Sequence, residues 1–168
     1  SVKDALGNVS YFEYWEGGLQ KSGKDALGRN TYFEYDSFGN RISGKDALGQ
    51  VAYFEYSAAG KQISAKDPLG RATYWEYDKR DRETKVVNAL GYTQETGYDS
   101  RGLKTVKKNE AGYYAYFEYD GAGRLRRSKN FAGGVRYFEY DVCDNKVAEK
   151  DELGNPTYFY YDARNRRK

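Results

Sequence analysis

Glycine stands at Gly7, Gly28, Gly49, Gly70, Gly91, Gly112, Gly133 and Gly154, a step of 21 residues that never slips. Tyrosine keeps the same interval at Tyr14, Tyr35, Tyr56, Tyr77, Tyr98, Tyr119, Tyr140 and Tyr161. Eight copies of 21 residues account for all 168, with boundaries at 1–21, 22–42, 43–63, 64–84, 85–105, 106–126, 127–147 and 148–168. A fixed period this short restricts the chain to a row of one supersecondary unit, because a copy of that size cannot bury a core alone. The sequence therefore reads as a single repeat array over 1–168.

Two turns of one kind punctuate each copy. The first reads D-x-L-G, as in Asp25–Gly28 and Asp67–Gly70; the second follows the tyrosine, as in Asp36–Gly39 and Asp120–Gly123. Aspartate opening a tight turn accepts hydrogen bonds from freed backbone amides, and glycine three residues on takes the left-handed conformation. Together they describe a hairpin loop built on a type I turn with a bulge. Asp81, Asp144 and Asn165 replace the second glycine, and Asp and Asn are the other residues that tolerate left-handed geometry.

Six or seven residues separate the turns and alternate with period two rather than 3.6. Within Arg29–Asp36, Thr31, Phe33 and Tyr35 share one face, while Tyr32 and Glu34 share the other. The return strands are poorer, with Ile42, Ile63, Val86 or Val147 at alternate places. The expected fold is all-β: eight 21-residue β-hairpin repeats in one long antiparallel single-layer sheet. Sixteen strands at about 4.8 Å each make a ribbon roughly 77 Å long. A single layer of that length twists and curls, here into an open spiral or arc around a wet lumen. Rings packed on rings would then replace a dry interior.

Composition supports a sheet without a conventional core. Val, Leu and Ile number 20 and Phe 8, about 17% of the chain, below the roughly 20% under which disorder is suspected. The apolar mass sits instead in 19 Tyr, 8 Phe and 2 Trp, and tyrosine buries its body while keeping a wet tip. The net charge of +3 comes from a tail: without Arg164, Arg166, Arg167 and Lys168, 24 basic residues face 25 acidic ones. No basic groove supports nucleic-acid binding, and no apolar run has the length to span a membrane. Methionine is absent even at position 1, so the chain is expected to be processed or a piece of something longer.

The stretches KDPLGRATYWEYDKRDR (Lys66 to Arg82) and YDGAGRLRR (Tyr119 to Arg127) resemble the tyrosine-aspartate repeats, also called Rhs or YD repeats. These occur in bacterial polymorphic toxins, insecticidal toxin complexes and teneurins. The shared pattern is a D-P-L-G-R turn, a Y-x-Y-D strand end and a G-R-L return, which all eight copies fit at least partly. The resemblance implies a sheet that spirals into a hollow shell around the protein's own, or an associated, C-terminal toxin or cargo domain. It implies a secreted or cell-surface setting. The aspartyl autoprotease of some members has no counterpart here. The fifth copy departs from the pattern, with Glu95, Thr96 and Gly97 where others have Y-F-E, and a weakened or bent sheet is expected there. Bare sheet edges make self-association an expectation.

No catalytic, cofactor or metal site is expected. Histidine is absent, which removes the usual nucleophile pairs and the commonest metal ligand. Cys143 lies in a D-V-C-D turn that offers no electropositive pocket to activate a thiol. One Asp per turn is too few oxygens for calcium. The column Glu13, Glu34, Glu55, Glu76, Glu118 and Glu139 reads as a stripe paired across strands with Lys or Arg, because catalysis needs one distinct environment. The aromatic ladders leave a second reading open, a carbohydrate-binding or adhesion module that stacks glycan on Trp75, Tyr74, Tyr77 and Trp15.

Overall fold

The computed structural model describes residues 1–168, all strand and turn. It divides into two compact units, Ser1–Gly91 and Tyr92–Lys168. The first holds nine strands: β1 (Val2–Lys3), β2 (Val9–Tyr14), β3 (Gln20–Lys24), β4 (Asn30–Tyr35), β5 (Arg41–Lys45), β6 (Val51–Tyr56), β7 (Gln62–Lys66), β8 (Ala72–Tyr77) and β9 (Glu83–Val87). The second holds seven: β10 (Thr93–Tyr98), β11 (Lys104–Lys108), β12 (Tyr114–Tyr119), β13 (Leu125–Lys129), β14 (Val135–Tyr140), β15 (Lys146–Lys150) and β16 (Pro156–Tyr158). Within each unit strand order is sequence order, with antiparallel pairing and no crossover. The all-β hairpin array expected from the period is the one observed.

Turn chemistry sets this register. Asp25 Oδ1 accepts the amides of Leu27 and Arg29, both at 2.9 Å, while the Gly28 amide donates to the Asp25 carbonyl at 2.9 Å. The chain re-enters the ladder through the Asp25 amide, which donates to the Arg29 carbonyl at 3.0 Å. Gly28 has φ +79°, and the three residues that replace glycine in the second turn have it too: Asp81 at 58°, Asp144 at 66° and Asn165 at 58°. A register shift recurs one residue before each second turn, as between Glu34 and Tyr35 and between Glu118 and Tyr119. That is the bulge such a loop requires.

Almost nothing is buried. Ala115 and Phe159 are the only buried apolar residues, and no large side chain is fully enclosed. Rings do not supply the core by packing directly on each other. Equivalent rings lie two strands apart, about 10 Å, so the strand between them must fill the gap. Arg41 of β5 does so, its guanidinium 5.7 Å from the Phe33 ring and 4.9 Å from the Phe54 ring. In the second unit Lys146 of β15 lies 5.9 Å from Phe138 and 4.7 Å from Phe159. Cation–π contacts of this kind contribute roughly 0.5–1 kcal/mol at exposed sites. The single stacked pair is Tyr114 with Tyr116, centroids 6.1 Å apart.

The departure in the fifth copy does not shorten its strand. β10 keeps six residues and pairs with β11 from Glu95↔Lys108 to Tyr98↔Lys104. Gly97 stands opposite Val106, where Glu13 stands opposite Ser22 in the first copy. A Cβ on Gly97 would meet Val106 Cγ1 at 2.6 Å, so the valine occupies the room the glutamate gives up.

Candidate functional site

The features that could carry function are the two sheet faces. Period-two alternation sends Tyr32, Tyr53 and Tyr74 to one face, where each is about half exposed, and Phe33, Phe54 and Trp75 to the other, where they are half-buried. On the tyrosine face four rings stand opposite a lysine, Tyr32↔Lys45 and Tyr53↔Lys66 in the first unit and Tyr116↔Lys129 and Tyr137↔Lys150 in the second, while Tyr74 stands opposite Val87. The lysine stems lie along the first turns, so that a Cβ on Gly49 would be 3.7 Å from Lys45 Cε.

The glutamate column runs beside these rings with a different partner than the sequence suggested in three copies. Ser22, Ser43 and Ser64 hydroxyls donate to Glu13, Glu34 and Glu55 at 3.0, 2.9 and 2.9 Å. Ser43 and Ser64 are among the few buried residues of the chain. Ion pairs of the expected kind appear further on, Glu76 with Lys85 at 2.7 Å and Glu118 with Arg127. Glu139, the sixth of the column, faces Ala148 instead, and no two of these carboxylates are paired as an acid and a base.

Several turn aspartates are held as anions. The Asn40 side-chain amide is the main cause for Asp36, and the Asn145 amide for Asp141, of carboxyl groups below the ordinary range. For Asp25 and Asp120 the leading cause is a backbone amide, that of Arg29 or Arg124. Asp78, hydrogen-bonded first of all by the Arg82 side chain, is lowered to about 2. These carboxylates cap turns, and no group of three or more potential metal ligands is present. Cys143 is an exposed free thiol at a turn tip.

The four suggested stacking residues do not converge. Tyr74 and Trp75 alternate to opposite faces, and Tyr77 shares the half-buried one, its hydroxyl donating to the Gln62 carbonyl at 2.9 Å. Trp15 takes the aspartate place of a second turn three repeats away, with the Lys21 ammonium 4.9 Å from its ring. Rings gather instead in the second unit. Tyr113, Tyr114, Tyr116 and Phe131 line an open groove of about 760 Å³ with Lys129. A neighbouring groove of about 540 Å³ lies between Tyr137 and Tyr158, with Glu139 and Lys150. The signal for the first was in the sequence as rings off the repeat pattern: Tyr113, Tyr114 and Phe131 stand where the second copy, four and five copies earlier in register, has Arg29, Asn30 and Ala26.

Against known proteins, residues 56–94 match the family model RHS Repeat. The Rhs resemblance holds. No curated protein matches the chain. Among solved structures it is similar to a chain of the TcdB2-TccC3-Cdc42 crystal structure, with TM-score 0.69 and 15% identity over 94% of this chain. A similar fold occurs in the Photorhabdus luminescens Tc holotoxin pore, with TM-score 0.66 and 14% identity over 95% of this chain. In TcdB2-TccC3-TEV the TM-score is 0.64 at 12% identity over 96%. The chain spans about a tenth of each of those chains. Identities this low show a shared fold.

Proposed function

We propose that these Rhs repeats are a segment of shell wall, a non-catalytic scaffold that encloses or presents a toxin or other partner domain, its own or an associated one, in a secreted or cell-surface assembly. One observation carries this reading: hairpins repeat in constant register with no second layer over either face, and no large side chain is fully buried. A sheet built so serves as a wall, since it encloses nothing of its own. The Rhs match and the Tc toxin structures of like fold support it. The test is limited proteolysis of the full-length protein that carries these repeats. The partner domain should outlast the same domain expressed alone; equal rates of cleavage would sink the proposal.

The aromatic groove of Tyr113, Tyr114, Tyr116 and Phe131 favours a second reading, glycan binding on exposed rings. Aromatic stacking suits the flat apolar faces of sugars, and Lys129 adds a donor at the groove wall. A glycan array probed with wild type, Tyr116→Ala and Trp75→Ala separates the cases. Loss with Tyr116→Ala places binding in the groove, loss with Trp75→Ala places it on the opposite face, and no sugar bound at all removes the reading.

A further inference from the structure

Turn centres are ordinarily polar, because they meet water on most sides. In the first unit the five first turns carry Ala5–Leu6, Ala26–Leu27, Ala47–Leu48, Pro68–Leu69 and Ala89–Leu90 at their centres. Each of these leucines is between 75% and 88% exposed. The turns need no leucine side chain, since Asp and Gly already hold the backbone and Leu27 contributes only its amide. Strands pair in chain order within the unit, so these turns lie along one long rim and recur every second strand. The leucines are therefore spaced about 10 Å apart. The second unit breaks the row with Glu110–Ala111, Phe131–Ala132 and Glu152–Leu153, and Glu152 is occupied by the Asn130 side-chain amide at 2.8 Å.

We propose that this leucine rim is a docking surface for a second copy of the chain, rim against rim. Pitch selects the occupant. A row of knobs about 10 Å apart leaves gaps that admit one leucine each, and the surface that presents leucines at that pitch is the same rim of another molecule. Shifted by half a pitch about a two-fold axis, four of the five leucines of one copy enter the four gaps of its partner, the fifth flanks the end of the row, and the contact closes on itself. The area is sufficient for a weak dimer. A leucine side chain offers on the order of 100 Å² of apolar surface, so five leucines with their Ala and Pro neighbours give roughly 600 Å² per rim. Two rims bury about 1,200 Å², the lower bound of specific interfaces. Strand edges are poorer candidates: β1 has two residues, and β16 has three and begins with Pro156.

Sedimentation velocity of the 168-residue chain across a wide concentration range tests this. Wild type should pass from monomer to dimer, and Leu48→Ser with Leu69→Ser should weaken the dimer at least about tenfold. Leu153→Ser, an equally exposed leucine of the second unit, should leave it unchanged. Far-ultraviolet circular dichroism confirms that each variant keeps its sheet, as turn-centre positions free of packing allow. A wild type that stays monomeric at every concentration overturns the proposal. So does a dimer that survives the double variant, or one lost equally with Leu153→Ser.

Discussion

Substituting Gly97 by alanine tests whether face positions are coupled in pairs across the hairpin. The new methyl would lie 2.6 Å from Val106 Cγ1, about an ångström inside ordinary contact. Valine cannot rotate away cheaply, because branching at Cβ fixes its χ1. Overpacking of this size costs about 1–3 kcal/mol, and the gain from removing a strand glycine offsets roughly 0.5–1 kcal/mol of that. Gly97→Ala should therefore destabilise the second unit by about 0.5–2 kcal/mol, and Gly97→Glu by more. Val106→Ser should rescue the glutamate, because the double variant recreates the Glu55–Ser64 pair, whose hydroxyl and carboxylate lie 2.9 Å apart. Urea unfolding of the four proteins in a double-mutant cycle reads the coupling directly, expected at about 1–2 kcal/mol. Additive effects, or a Gly97→Ala variant as stable as wild type, would refute the claim that the valine fills the glutamate's space.

Gly39→Ala, at φ +85°, should lower stability by about 1–2 kcal/mol, whereas Asp81→Gly, at φ 58°, should raise it by up to about 1 kcal/mol; thermal melts of both give the signs. Removing the Ser64 hydroxyl as Ser64→Ala leaves Glu55 without its buried donor and should cost about 1 kcal/mol, more than Ser22→Ala in the exposed first hairpin, by the same urea assay. The turn carboxylates Asp25, Asp36, Asp120 and Asp141 have folded pKa values below the roughly 3.9 of an unfolded aspartate, with Asp78 at about 2. A depressed folded value contributes stability above the unfolded pKa that is lost as pH falls through the folded one. Stability should thus hold above about pH 4 and fall toward pH 2, with a shallower fall for Asp78→Asn; a pH-independent urea midpoint in that window contradicts the assignment.

The turns were legible in the sequence because four consecutive residues decide them. Asp, Gly and the three left-handed substitutes Asp81, Asp144 and Asn165 state their backbone conformation locally, and all three substitutes have positive φ. Strand identity followed from the period between turns. What crosses from strand to strand was harder to read. Serine as the partner of Glu34 and Glu55 depends on a bulge that brings Ser43 and Ser64 opposite them, and a one-residue change in register would have offered another side chain. Ring-on-ring packing was the natural reading of an aromatic column, but the return strand intervenes and sets Arg41 between Phe33 and Phe54. Exposed leucines were visible as a repeat, while their lack of any cover was not.

One register position shows how the labour is divided along the chain. Opposite each other there stand Glu55 and Ser64, Glu76 and Lys85, Gly97 and Val106, then Glu118 and Arg127, then Glu139 and Ala148. A hydrogen bond, an ion pair, an apolar contact and a carboxylate facing a methyl all fit one backbone ladder. None of them can therefore specify that ladder. Specification must come from what stays constant, and that is the turn: a left-handed residue at its fourth place, closed by backbone hydrogen bonds, with a side-chain acceptor at its first place in every turn but that of Trp15. Since each hairpin is fixed from its own ends, its faces are released from the work of folding, as in other arrays whose units touch only their neighbours. A scaffold built so can alter its wall chemistry copy by copy, gathering rings at Tyr113, Tyr114 and Phe131 or leucines along one rim, without changing the course of the chain.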